Sequence, residues 1–213
     1  MALSLHVHCG YPSYGLSGLA WDQWDYDAYK FVQALKGNPP NGYATLRKLD
    51  GTWAKITAED TEPAFKLFGE WAAAKLTSLR LTGGLLVPVP ASSCLQIGGD
   101  PKGKKIAQAI ADCAPGFSVC EAIHWHVQLP KASEGGPRDP DVLLPNLRFV
   151  TNVEGGPIVL VDDVATTGGH LIACARGLRS FNYVVDHAIC ASETVHERPA
   201  AGLFSGWSRE LPA

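Results

Sequence analysis

Short unbroken apolar runs alternate with helix-like segments along the second half of the chain. The helix-like segments carry apolar residues at helical spacing. The runs are "GGLLVPVP", "GFSVCEAIHWH", "IVLVDD" and "YVVDHAIC", and the helix-like segments are "KGKKIAQAIADCA" and "HLIACARGLRSF". Unbroken apolar strands are typical of sheets that are covered on both faces. The pattern therefore predicts an α/β fold in which helices flank a parallel, twisted sheet.

The first part of the chain has a different pattern. "LSLHVH" favours a strand, and "WDQWDYDAYKFVQALKG" favours a helix that ends at Gly37. Asp50 and Gly51, between "YATLRKL" and "TWAKIT", predict a β-hairpin. From about Asp60 to Arg80, apolar residues recur at helical spacing, which predicts a long helix.

These patterns suggest three segments. We expect residues 1–59 to form an N-terminal α+β extension, an accessory unit of strand, helix and hairpin. Residues 60–191 would form the α/β core, and residues 192–213 would form a C-terminal tail, since "SETVHERPAAGLFSGWSRELPA" has no clear periodicity. No internal repeat is present, which excludes a solenoid.

The composition is typical of a globular protein, because 46% of the 213 residues are hydrophobic and 18% are charged. A formal net charge of -3 gives no basic field and disfavours a nucleic-acid partner. No apolar run approaches the roughly 18 residues that a membrane span needs, and the first residues lack the pattern of a secretory signal. We therefore expect a cytoplasmic protein with no membrane partner.

The cysteines and histidines do not form a recognisable metal or disulfide pattern. Without any CxxC pair, the six cysteines are expected to be reduced thiols in the core. His6, His8 and Cys9 lie close in sequence, but no second ligand cluster at zinc-finger spacing accompanies them. We predict no protein-bound metal there and a partly exposed strand instead.

Two acids end the most apolar run, in "IVLVDDVATTGGHL". In open α/β sheets, ligands bind beyond the carboxyl ends of the strands, where Asp162 and Asp163 are expected. Thr166 to Gly169 would form a turn at the start of the next helix, where free amides and the helix dipole favour a phosphate. The carboxylates can accept hydrogen bonds from vicinal hydroxyls. Diol and phosphate recognition side by side indicate a ribose 5-phosphate ligand.

The same residues resemble the 5-phosphoribosyl-1-pyrophosphate (PRPP) signature of type I phosphoribosyltransferases. Within that superfamily the chain is most similar to ComF-type proteins, on account of "LLVPVP", "KKIAQAIA" and "LLPNLRFV". The resemblance covers about residues 75–190 and is weak over the first sixty residues, where the cysteine-rich zinc unit of many ComF-type proteins is missing. It implies a transferase of the pentosyl class that acts in nucleotide metabolism.

The resemblance also implies roles for individual residues. Asp162 and Asp163 would be the catalytic residues and would bind the ribose 2- and 3-hydroxyls. The loop that holds the 5-phosphate would consist of Ala165, Thr166, Thr167, Gly168, Gly169 and His170. The pyrophosphate loop would consist of Ala91, Ser92 and Ser93. Leu129 to Pro145 would be a mobile loop with Lys131 and Arg138 as its cations.

Two departures from the family pattern stand out. His170 takes the place of the usual Thr or Ser, which removes one hydroxyl from the phosphate loop. The pyrophosphate loop also lacks an Arg or Lys, and three lysines farther along are the available substitutes: Lys102, Lys104 and Lys105.

The resemblance implies Mg²⁺, bound mainly through PRPP, as the cofactor. The implied partners are PRPP and an unidentified acceptor, with a nucleobase as the superfamily's commonest choice, and we expect a homo-oligomer. The alternative is a PRPP-binding regulator without transfer activity, or a ComF-like DNA-uptake module in which N-terminal aromatics stack bases. A nucleoside triphosphatase reading of "GGDPKGKK" is disfavoured, because Lys105 replaces the hydroxyl that should contact magnesium.

Overall fold

The computed structural model describes residues 2–15, 18–130 and 134–213. The strands are β1 (Ala2–Pro12), β2 (Tyr43–Arg47), β3 (Trp53–Thr57), β4 (Gly84–Pro88), β5 (Phe117–Val119), β6 (Ile123–Trp125), β7 (Leu147–Phe149), β8 (Ile158–Ala165), β9 (His187–Val195) and β10 (Trp207–Pro212). The helices are α1 (Gln23–Leu35), α2 (Glu62–Ser78), α3 (Pro101–Ala111), α4 (Pro140–Leu143) and α5 (Gly169–Ser180).

A six-stranded sheet in the order β10-β1-β9-β8-β4-β5 organises the fold. Its neighbours pair in parallel, except that β10 is antiparallel to β1. The predicted α/β fold with a mostly parallel sheet is therefore confirmed. Because all parallel strands run the same way, the carboxyl ends of β1, β9, β8 and β4 lie along one edge.

Helices cover the sheet on both faces. Val159 and Val161 of β8 share a core with α1, α2 and α3, whereas Leu160 packs into the core that contains α5. Every residue of β4 is buried, and so are the first four residues of β8. The unbroken apolar runs thus mark strands that are buried on both sides, as predicted. No helix in the described part of the chain is both long and apolar enough to cross a membrane.

The N-terminal strand belongs to this sheet rather than to a separate one. β1 lies between β9 and β10, and His6 and His8 are only 4% and 8% exposed. The expectation of a partly exposed strand is therefore wrong, because β1 is covered by a strand on each side and by helices on its face. Strands from residues 1–59, 60–191 and 192–213 all enter one sheet, so these segments do not coincide with separate sheets.

The remaining N-terminal elements follow the sequence closely. Asp22 caps α1 in a capping box with Asp25, and Gly37 follows the helix with a φ of +77°. β2 and β3 pair antiparallel around Gly51, whose φ of +83° suits a tight hairpin turn. The predicted helix and hairpin are confirmed.

Three expectations for the second half need correction. "GFSVCEAIHWH" is two strands, because the chain leaves the central sheet after β5 and β6 pairs with β7 instead. β9 begins at His187, later than the run "YVVDHAIC" indicated. The tail contains β10, which pairs with β1 and buries Leu211. An edge strand with one covered face has too few apolar residues to be recognised as an apolar run.

Candidate active site

Asp162 and Asp163 lie near the carboxyl end of β8 and project from opposite faces of the sheet, because successive residues of a strand alternate. Asp163 is buried on the side of α3, where it accepts a hydrogen bond from Lys102. Asp162 lines a pocket on the side of α5. At the end of β8, Asp163 therefore faces α3, and Asp162 faces the pocket beside α5.

The loop after Asp163 encloses a small pocket. The cavity has a volume of about 60 Å³, and its lining contains the whole predicted phosphate loop. Gly168 caps α5 with a φ of +82°, a conformation that favours glycine. The first backbone N–H groups of α5 have no acceptor within the helix; that of Gly169 donates to the Thr167 hydroxyl at 3.3 Å, and such groups at a helix start favour an anion. Thr166 and Thr167 are exposed and contribute hydroxyls at the rim.

Two close approaches fix the floor of this pocket. A Cβ atom on Gly168 would lie 2.8 Å from the side chain of Leu211, and one on Gly169 would lie 1.8 Å from the carbonyl oxygen of Arg138. Glycine is therefore required at both positions to let β10 and the segment before α4 pack against the start of α5.

Arg138 lines the pocket together with the phosphate loop, so one of the two predicted mobile-loop cations lies at the site. Lys131, the other, lies outside the described residues. Burial, with a smaller contribution from the positive charge of Arg138, lowers the pKa of His170. At neutral pH the imidazole is therefore uncharged, which leaves Arg138 as the cation of the pocket.

The predicted pyrophosphate loop follows β4. Pro88 pairs with Val161, so this loop lies beside the end of β8. The backbone N–H of Ala91 donates to Asp100, the residue that caps α3, at 2.9 Å. Ser92 is partly exposed and Ser93 is exposed. The loop therefore presents hydroxyls but carries no cation of its own.

One lysine of α3 reaches the strand end. The Nζ atom of Lys102 lies 2.7 Å from Oδ2 of Asp163. Lys104 pairs with Glu121 at 3.0 Å, and Lys105 pairs with Glu62. Of the three lysines considered as substitutes for a missing loop cation, the structure brings only Lys102 to the site.

The charges at the strand end depend on one another. Burial and the neighbouring charge of Asp163 raise the pKa of Asp162 above its usual range, and the positive charge of Lys102 opposes that rise. Burial alone would lower the pKa of Lys102, but the charges of Asp163, Asp162 and Asp100 outweigh it and raise that pKa. The raised pKa favours the protonated form of Asp162 while no ligand is bound, and the raised pKa of Lys102 keeps its ammonium group charged.

Trp125 joins the two loops. Its indole N–H donates to the carbonyl oxygen of Pro90 at 3.1 Å, and its ring meets the edge of His170 at a centroid distance of 5.7 Å. Trp125 is 1% exposed, so it is a core residue and not a stacking platform. His170 therefore packs against Trp125, and Trp125 connects the phosphate loop to the residue just before the pyrophosphate loop.

Aromatic residues lie at the same edge of the sheet, where β1 ends. The rings of Tyr11 and Tyr29 stack at a centroid distance of 5.6 Å. Gln33 donates to the Tyr11 hydroxyl at 3.0 Å, and the Lys36 ammonium group lies 4.8 Å from the Tyr11 ring centroid. Tyr11 packs on the face that Asp163 also occupies. This group offers flat apolar surface and polar atoms beside the acids.

Sequence reasoning missed two supports of the site. Asp100, followed by Pro101, has the pattern of a helix start, and that signal could have placed the first turn of α3 beside the pyrophosphate loop. The role of Trp125 had no signal in the sequence, because its partners Pro90 and His170 are distant along the chain.

No protein-family model matches the chain, and no curated protein matches it either. The chain is similar to the solved structure of an adenine phosphoribosyltransferase from Thermoanaerobacter pseudethanolicus, with 20% identity, a TM-score of 0.41 and coverage of 76% of this chain and 87% of that one.

Two further solved structures are similar. An orotate phosphoribosyltransferase from Aeropyrum pernix has 16% identity, a TM-score of 0.40 and coverage of 78% of this chain and 83% of that one. An adenine phosphoribosyltransferase from Saccharomyces cerevisiae has 16% identity, a TM-score of 0.42 and coverage of 76% and 88%. At such identities and TM-scores we draw no functional argument from the likeness, and the proposal below depends on the residues of the site.

Proposed function

We propose that this protein binds Mg-PRPP and transfers its 5-phosphoribosyl group to an acceptor with release of pyrophosphate. The observation that carries the proposal is the arrangement at the end of β8, where Asp162 lines the same pocket as the loop from Ala165 to His170. A carboxylate for a sugar hydroxyl beside helix amides for a phosphate matches a ribose 5-phosphate.

Each part of the ligand has a proposed place. The 5-phosphate binds at the start of α5, with Arg138 as its counter-charge. The ribose hydroxyls bind Asp162 and Asp163. The pyrophosphate lies along Ala91 to Ser93, which the pairing of β4 with β8 supports because it holds this loop next to the acids.

In the proposed reaction, the bond between C1 of the ribose and the pyrophosphate oxygen breaks, and its electron pair leaves with pyrophosphate. A lone pair of the acceptor forms the new bond to C1, and the acceptor gives up its proton. The transition state has positive charge on the ribose, which the carboxylates of Asp162 and Asp163 stabilise electrostatically. The segment containing Arg138 lies against the phosphate loop and limits the access of water.

Magnesium fits the donors present. Carboxylate oxygens are the ligands that Mg²⁺ prefers, and a nearby cation would favour the carboxylate form of Asp162, whose pKa burial and Asp163 raise. Asp162 and Asp163 are the residues that would approach it, with oxygens of PRPP completing the coordination. When bound, the ion would neutralise charge on the leaving pyrophosphate.

For the acceptor we propose a flat nitrogenous base, bound where β1 ends. The stacked pair Tyr11 and Tyr29 supports this choice, because rings of this kind bind planar ligands, and the pair lies on the Asp163 face of the sheet. The Tyr11 hydroxyl, which accepts from the Gln33 amide, is a hydrogen-bonding group at the same place.

A thermal-unfolding experiment tests PRPP binding. Saturating PRPP with magnesium should raise the Tm of the wild type by roughly 5 °C or more, as expected for a ligand at about 100 times its Kd. The double variant Asp162→Asn with Asp163→Asn should lose this shift. Asp186→Asn, which alters an exposed acid just before β9, should keep it and serves as the matched control.

A wild type without a shift at millimolar PRPP would overturn the proposal. Transfer is then distinguished from the alternative, a PRPP-binding regulator or ComF-like module, by pyrophosphate release with a panel of nucleobases. Release with one base and not with the others supports the enzyme. A Tm shift without release with any base supports the regulator.

A further inference from the structure

The ion pair between Lys102 and Asp163 blocks the carboxylate that the proposed ligand needs. The side chain of Asp163 is 11% exposed, and the ammonium group lies 2.7 Å from Oδ2. The ammonium group thus occupies Oδ2 of Asp163. A ribose diol that binds both oxygens of this carboxylate therefore has to displace it.

Lys102 is able to make that movement. Its side chain is 35% exposed, and a lysine carries its charge on a flexible four-carbon stem. It belongs to the first turn of α3, which Asp100 ties to the pyrophosphate loop through the N–H of Ala91. An ammonium group that leaves Asp163 thus stays on the helix turn whose capping residue holds Ala91 of this loop.

The pyrophosphate loop needs a cation from elsewhere. Residues 89 to 99 contain no Lys or Arg, and the nearby carboxylate of Asp100 would repel a pyrophosphate. Lys104 and Lys105 are engaged with Glu121 and Glu62, away from the strand end. Of these three lysines of α3, Lys102 is therefore the one that pairs with the acid at the strand end.

We propose that Lys102 is a switch. Without ligand, its ammonium group pairs with Asp163. When the ribose diol binds Asp163 instead, the ammonium group moves to the pyrophosphate of the ligand. This proposal rests on the proposed function, since it assigns the missing cation of the same site. The switch makes diol and pyrophosphate binding cooperative. A diol that binds Asp163 releases the ammonium group, and the released ammonium group binds the pyrophosphate of the same ligand.

Calorimetric titrations with three probes test the switch: PRPP, ribose 5-phosphate and inorganic pyrophosphate, each with magnesium. In Lys102→Met we expect the affinity for PRPP and for pyrophosphate to fall about tenfold or more, as for the loss of a charge-assisted hydrogen bond. The affinity for ribose 5-phosphate should stay within about threefold of wild type. This ligand has no pyrophosphate for Lys102 to bind, and in the variant Lys102 no longer competes with it for Asp163. Lys102→Arg should restore most of the PRPP affinity, and Lys104→Met on the same helix should behave as wild type.

A reciprocal variant tests the release of the lysine. Asp163→Asn removes the charge that holds Lys102 in the absence of ligand. Pyrophosphate should then bind several-fold more tightly than to wild type, while ribose 5-phosphate binds more weakly. This arm keeps Lys102 in place and does not depend on the folding of Lys102→Met.

The outcomes separate the two proposals. If wild type binds none of the probes, the proposed function fails and the switch fails with it. If wild type binds PRPP but Lys102→Met weakens PRPP and ribose 5-phosphate equally, Lys102 only stabilises Asp163 and the switch alone is overturned. Unchanged or weaker pyrophosphate binding in Asp163→Asn also overturns it.

Discussion

The buried imidazole of His8 lies on the face of β1 that α1 and α2 cover. Its neighbours are the rings of Phe31, Trp71 and Phe204, at centroid distances of 5.4, 5.0 and 5.9 Å. Neither ring nitrogen has a hydrogen-bond partner among the described residues. Burial lowers its pKa from 6.5 to about 3, so His8 is neutral in the folded protein.

This histidine makes folding stability dependent on pH. Below pH 6.5 the unfolded chain takes up a proton at His8 that the folded chain does not bind, so the free energy of unfolding decreases as the pH falls from 6.5 towards 3. The contribution between pH 7 and pH 5 is about 2 kcal/mol. In His8→Leu we expect equal or greater stability at pH 7 and a smaller loss at pH 5, measured by urea unfolding at both values.

His196 provides the control for this prediction because it is exposed. His196→Leu should lose as much stability between pH 7 and pH 5 as wild type does. An unchanged pH dependence in His8→Leu would contradict the assignment of a neutral, buried imidazole.

At the scale of elements, the start of α5 packs closely against the backbone at Arg138, just before α4. Gly169→Ala would place its Cβ 1.8 Å from the carbonyl oxygen of Arg138, so one of the two must shift. We expect a loss of about 1–3 kcal/mol in the free energy of unfolding, as for overpacking elsewhere. Gly15→Ala is the control, because nothing lies within 4 Å of its Cβ position.

Urea unfolding of both variants measures this dependence. Equal stabilities for the two would mean that the Arg138 segment is not held against α5. A selective loss in Gly169→Ala would show that the predicted mobile loop is anchored at Arg138, near its middle.

The elements that sequence periodicity predicted well are those in which local residues decide the structure. α1 begins at a capping box and is followed by Gly37, and the hairpin turns at Gly51, so each boundary has its own local signal. β10 and the division between β5 and β6 were missed, since pairing with distant strands decides them. Periodicity reports which residues are apolar, not which strand comes to lie beside them.

The same distinction holds for the site. Asp162, Asp163 and the loop after them could be predicted because strand, turn and helix start are contiguous in sequence. The pairing of Lys102 with Asp163 could not be predicted, because it depends on how α3 crosses the sheet. Sequence reasoning had offered Lys102 only as one of three lysines.

At the scale of the whole molecule, a partly buried ion pair between Glu193 and Arg209 joins β10 to β9, across β1. Glu193, near the end of β9, accepts hydrogen bonds from Trp207 at 2.7 Å and from Nε of Arg209 at 2.6 Å. Its carboxylate is 11% exposed. Leu211, two residues beyond Arg209, touches Gly168, so this pair also steadies the floor of the phosphate loop.

A double-mutant cycle should detect this coupling. Arg209→Met and Glu193→Gln should each lower the free energy of unfolding by about 2 kcal/mol, since each removes the charge-assisted hydrogen bond between the two side chains. The double variant should lose at least about 1 kcal/mol less than the sum of the two. Glu210→Gln, which alters an exposed hydrogen bond from Ser4 of β1 to the same strand β10, should cost less than about 0.5 kcal/mol. Additive losses would mean that the ion pair does not fasten β10.

The position of β1 has a consequence for the order in which the chain is made. Ser4 pairs with His187 and Leu5 with Arg209, so both neighbours of β1 are synthesised long after it. Until they emerge from the ribosome, the apolar residues of β1, Leu3, Leu5 and Val7, have no strand to pair with. The central sheet is therefore completed only once residues 187–212 have emerged, and the nascent chain has to keep an apolar strand from aggregating in the meantime.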